Sequence, residues 1–140
     1  MRRPDDNVST ALGYGQGLYY LITGVWPLLS MRTFEAVTGP KADKWLVKTV
    51  GVLVGIVGAV LMLSARRRFV APEPALLAAG SAAGLAAIDT VYATRGRISK
   101  VYLLDAVVEI ALVAAWALAT TRGRARLWSA TPAPRYGGSA

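Results

Sequence analysis

Four apolar runs, residues 12–30, 45–64, 75–93 and 101–120, govern what this chain can become. Each is close to the ~20 residues that carry an α-helix across a hydrocarbon core of about 30 Å. A helix satisfies its own backbone hydrogen bonds in lipid, whereas an open strand leaves an unpaired edge. The expected fold class is therefore all-α: an integral membrane four-helix bundle, up-down-up-down, with residues 1–126 as one domain. The remainder, 127–140, is rich in Pro, Gly, Ser and Ala and is expected to be a disordered tail.

The breaks between runs are sharp. "TGPKAD" supplies a Gly39-Pro40 turn and then Asp43 as the expected N-cap of the second span. "ARRRFVAPEP" parts the second and third spans, and "RGRISK" parts the third and fourth, with Ser99 as N-cap. "MRRPDDN" mixes acids with its basic residues and no small-residue cleavage site follows, so the first span is expected to be retained. Nine basic residues fall on the side of the termini and the middle loop, against six on the other side. That bias places both termini in the cytoplasm, in a cell membrane of bacterial inner-membrane type.

Composition removes several chemistries. The chain has 140 residues, is 54% hydrophobic, and contains neither cysteine nor histidine. Disulfide scaffolds, thiolate or imidazole metal sites and histidine-based triads are excluded. No cofactor, no metal and no catalytic residue are expected. The net charge of +8 is split into short clusters flanking apolar runs, which is an anchoring pattern and not a nucleic-acid interface.

Against that background the carboxylates stand out. Asp105 lies five residues after Lys100, and Asp89 lies five before Thr94. At ~1.5 Å rise per residue both sit roughly 7–8 Å below the turn that joins their spans. Glu109 is one helical turn deeper. Tyr102, Asp105, Glu109, Leu112 and Trp116 follow 3–4 spacing and form one stripe. Lys48 shares a helix face with Gly51 and Gly55, a small-residue pair suited to close packing, so it is expected to turn inward as counter-charge.

One cation against three acids leaves an excess, and an unpaired charge at this depth costs on the order of 3 kcal/mol. The excess is relieved in one of three ways: a carboxyl, Glu109 being the deepest, keeps its proton; a cation or cationic ligand binds; or a basic residue or water reaches in from the turn. The ligand or cation candidates are thus Asp89, Asp105, Glu109, Lys48 and Tyr102, with Trp26, beside Pro27, as a wall. The outer turn, Glu35, Gly39, Pro40, Lys41, Asp43 and Trp45, is expected to act as a lid, with residues 31–37 lying along the membrane surface and Glu35 meeting Arg32, Lys41 or Lys44. Tyr14, Tyr19 and Tyr20 are assigned to packing and the membrane interface.

The stretch "TGPKADKWLVKTVG", with "GLYYLITGVWPL" before it, resembles small bacterial four-helix membrane proteins of uncharacterised role. The resemblance covers about half the chain and implies a membrane fold. In architecture the chain is also similar to DoxX-like small membrane proteins and to the four-helix sterol-isomerase and sigma-2-receptor class. Those hold acids in an intramembrane ligand cavity, although the sterol-isomerase pattern needs a histidine that is missing here.

The leading expectation is a non-enzymatic binding or transport-accessory protein whose acidic cluster takes a cation, a proton or a small amphipathic ligand. An enzyme using Glu109 as general acid or base on a lipid-soluble substrate is the second expectation, and a structural subunit of a membrane complex the third. Expected partners are the lipid bilayer and a second copy or membrane protein, reached through the Gly51/Gly55 and Gly80/Gly84 faces.

Overall fold

The computed structural model describes residues 4–67 and 71–129, with side chains over 7–67 and 71–121. The described residues are all helical, with no strand among them: α1 (Pro4–Leu29), α2 (Met31–Thr38), α3 (Lys44–Arg66), α4 (Pro72–Thr94) and α5 (Tyr102–Ser129). Most of the expected tail lies outside the described residues, but α5 runs on to Ser129, past the expected end of the fourth span.

Among the described residues three helices are long and apolar enough to cross a membrane: α3, α4 and α5 as far as Thr121. Four were expected. Helix α1 has the length, but Gln16, Tyr14, Tyr19, Tyr20 and its glycines dilute the apolar run, and it does not meet the same measure. Of these, Gln16 and Tyr20 turn out to be buried and Tyr19 partly so, while Tyr14 is exposed.

Helices α1 and α3 pair antiparallel, backbone against backbone. A Cβ added to Gly24 would lie 2.5 Å from the Gly51 carbonyl oxygen, and one on Gly58 would lie 2.6 Å from the Gly17 carbonyl oxygen. No side chain fits at either crossing, so glycine is what allows the contact. Pro27 stays within α1 and is buried against Gly51. The Gly51/Gly55 face, expected to be open to a partner, is therefore occupied by α1. Gly80 and Gly84 on α4 meet nothing within 4 Å and remain open.

Helices α4 and α5 form the second antiparallel pair, and α5 also packs on α1. The two pairs meet toward the C-terminal end of α3 and the start of α4, where Leu61, Ala75, Ala78 and Trp116 are buried with Leu12 and Val57 against them. The interior is otherwise small or polar: Ala82, Ala86, Ala106, Gln16, Asp89 and Glu109 are buried. Large apolar side chains point out, with Leu76 75%, Leu104 68% and Ile22 60% exposed. A water-soluble domain buries its leucines first, so small and polar inside with large apolar outside is the arrangement suited to a hydrocarbon solvent.

The segment 31–37 forms the short helix α2. Ser30 caps it by accepting from the Thr33 N–H, and Gly39 ends it at φ 84°, a conformation that disfavours any side chain. Asp43 stands at the N-cap position of α3 but makes no side-chain capping bond. Ser99 does serve the start of α5, its hydroxyl accepting from the Val101 N–H.

Candidate functional site

The acids converge as their spacing indicated, between α4 and α5, but the surface opposite them belongs to α1. Asp89 on α4 and Glu109 on α5 are buried, and Asp105 is half-buried, on the side of the cluster nearer α2. Asp105 falls in the first turn of α5, where the free N–H groups of the helix favour a negative charge. The Asp89 and Asp105 carboxyls are immediate neighbours.

Tyr19 and Tyr20 reach this cluster from consecutive positions on α1. The Tyr19 hydroxyl donates to Asp105 Oδ1, and the Tyr20 hydroxyl donates to Glu109 Oε2 at 2.8 Å. Further along, Gln16 ties three helices together: its Nε2 donates to the Ala78 carbonyl at 2.9 Å, and its Oε1 accepts from the Trp116 indole N–H at 2.7 Å. Tyr20, Glu109, Gln16 and Trp116 are each about 99% buried, so these bonds are sheltered from competition by water.

Each acid on α5 thus has a neutral hydroxyl donor, but Asp89 does not. Its Oδ2 is buried without a hydrogen-bond partner, in a residue only 6% exposed. The basic residues do not supply one. Lys48, expected to turn inward, is exposed and bonds to none of the acids. Two features explain this: α3 packs chiefly on α1 and not on the acid-bearing pair, and the Gly24–Gly51 crossing is too close to admit a lysine. Among the described residues the one ion pair is Lys44 to Glu35 at 3.0 Å, and no Lys or Arg side chain reaches Asp89, Asp105 or Glu109. No group of three Asp or Glu among them is arranged to hold a metal ion.

Above the cluster stands the outer turn. Glu35 accepts from the Lys41 backbone N–H at 2.9 Å and from Lys44 Nζ at 3.0 Å. Lys41 Nζ donates to the Thr38 carbonyl and lies 4.8 Å from the centre of the Tyr102 ring, one turn before Asp105. A Cβ on Gly39 would be 3.8 Å from Ser99 Cβ, so the end of α2 touches the α4–α5 turn. Trp26 packs edge-on against Phe34 and donates to Thr33 Oγ1, holding α2 to α1. Pro40, Asp43 and Trp45 are exposed at the rim.

The Lys41 backbone hydrogen bond, then the Lys44 hydrogen bond and charge, hold the Glu35 carboxyl below its ordinary value of 4.5. A depressed value in the folded state stabilises the turn in full above about pH 4.5 and loses that contribution as pH falls through the folded-state value. Corrected for intrinsic exchange, the Lys41 amide is expected to lose hydrogen-exchange protection below that pH. In Glu35→Gln the protection should no longer change with pH; an equal change in both would remove Glu35 as the cause.

Sequence reasoning missed Gln16, Tyr19 and Tyr20 as site residues. The available signal was a glutamine inside an apolar run with Tyr20 one turn later on the same face. Compared with protein-family models, characterised proteins and solved structures, the chain matches none.

Proposed function

We propose that this chain is a multi-pass membrane protein, its four long helices running up-down-up-down with both termini cytoplasmic, that binds a charge-compensating ligand at Asp89 and Asp105. The proposal includes the bacterial inner membrane as its location and the kinship with small four-helix proteins bearing the TGPK turn. The inside-out distribution of small and large residues supports insertion, with α1 shielded from lipid on its polar side by α5.

The observation that carries the binding reading is the unpartnered Asp89 oxygen beside a second carboxyl, with no basic side chain in reach among the described residues. Burial of such a group disfavours the bare anion, so a proton or a cationic ligand is what the site lacks. Glu109 has a different role: buried, with its Oε2 accepting from the Tyr20 hydroxyl, it holds α5 against α1. Binding is therefore favoured over catalysis at Glu109.

The test is the thermal stability of Asp89→Asn in detergent without added ligand. The amide can donate to Asp105 and removes one of two neighbouring acids, so a gain of about 1 kcal/mol is expected. A loss of several degrees would mean that the Asp89 carboxyl joins helices, and the structural-subunit reading would replace this one.

A further inference from the structure

The geometry points to a primary ammonium group as the ligand of the Asp89–Asp105 pair, an inference that rests on the binding reading above. The missing element is specific. Asp89 Oδ2 is a buried acceptor lacking a donor, in a residue 94% buried by its 6% exposure, and its neighbour is another carboxyl. A ligand that takes the place of a proton on this carboxyl brings both an N–H or O–H and a positive charge.

That requirement separates the cation classes. A divalent metal needs several oxygen ligands, and no three acids among the described residues are arranged to supply them. A quaternary ammonium carries charge but no N–H, so it would leave the Asp89 oxygen unsatisfied. A primary ammonium has three N–H donors: one for Asp89 Oδ2, and one for the Asp105 oxygen that Tyr19 does not occupy. Asp105 is the half-buried member of the pair and Asp89 the buried one, so the group would pass Asp105 to reach its seat.

Depth favours an ammonium carried by an amphiphile. The pair lies roughly 7–8 Å below the α4–α5 turn, between the headgroup region and the hydrocarbon centre. Leu104, Val107 and Ile88 are exposed on the same two helices and offer apolar surface to an attached chain. The same chemistry is available from a free lipophilic amine or from an ethanolamine-headed lipid.

The experiment uses the full chain in an amine-free maltoside detergent at fixed pH and ionic strength. Octylammonium, octyltrimethylammonium and sodium chloride are titrated, with melting temperature and calorimetric affinity as readouts. Octylammonium is expected to raise the melting temperature by several degrees, and octyltrimethylammonium to leave it unchanged. Affinity should fall at least about tenfold in Asp89→Asn and stay the same in Lys48→Gln. The comparison of the two amphiphiles on the wild type stands even if a variant fails to fold.

In lipid nanodiscs, a higher melting temperature with ethanolamine than with choline headgroups identifies a lipid as the source. Stabilisation by octylammonium alone identifies a free amine. Equal shifts from the primary and quaternary amphiphiles, or an octylammonium response unchanged in Asp89→Asn, overturn the proposal. A response to sodium alone overturns the ammonium class and leaves a charge-binding site in place. No response to any probe, together with a destabilised Asp89→Asn, removes both readings.

Discussion

Gly24→Ala is expected to destabilise the fold by about 1–3 kcal/mol, although alanine is the better helix former. The new Cβ would lie 2.5 Å from the Gly51 carbonyl oxygen and 2.7 Å from the Gly55 nitrogen. These are backbone atoms, so relief requires separating α1 from α3 and not merely turning a side chain. The matched control is Gly80→Ala, where nothing lies within 4 Å. There the added methyl meets no protein atom, and helix propensity alone predicts a gain of up to about 1 kcal/mol. Melting temperatures of the two variants in one detergent decide the matter. If both shift alike, the α1–α3 crossing is not the close contact described.

Tyr20→Phe is expected to lower stability by about 1–3 kcal/mol, because it leaves a fully buried Glu109 oxygen without its donor while scarcely changing volume. The 2.8 Å bond joins α1 to α5. That interface also carries Tyr19–Asp105 and Gln16–Trp116, so the loss falls on the docking of one helix pair against the other. Replacing both partners with apolar groups, as in Tyr20→Phe with Glu109→Leu, should recover most of the loss, since no orphaned acceptor remains. Measuring the two single variants and the double gives the coupling directly. Additive losses would show that the hydroxyl and the carboxyl act independently, and Glu109 would lose its role as the partner of α1.

How far the site could be read beforehand differs by residue. Asp89, Asp105 and Glu109 were placed at the right levels because rise per residue and turn positions are local quantities. The contacts of Glu35 with Lys41 and Lys44 were legible for the same reason: these residues lie within ten residues of one another. Lys48 was misplaced although its face was read correctly. It does share a face with Gly51 and Gly55, but that face meets α1 and not the acids, and the lysine, near the start of α3, is exposed. Trp26 was assigned to the cavity wall because it neighbours Pro27, and the structure packs it on α2.

The tyrosines show the limit from the other side. Tyr19 and Tyr20 are ordinary interface residues by type, and only the antiparallel approach of α1 to α5 makes them the donors of Asp105 and Glu109. By itself the sequence determined the helical class, the turns between the long helices, the relative levels of the acids and the stripe of α5 that carries two of them, because each follows from hydropathy, turn chemistry and the 3.6-residue period. The tertiary structure alone decided which helix faces that stripe, which glycine face is occupied within the chain, and which carboxyl is left without a donor. Those depend on how the helices rotate and dock against one another, and that is set by contacts between residues far apart along the chain.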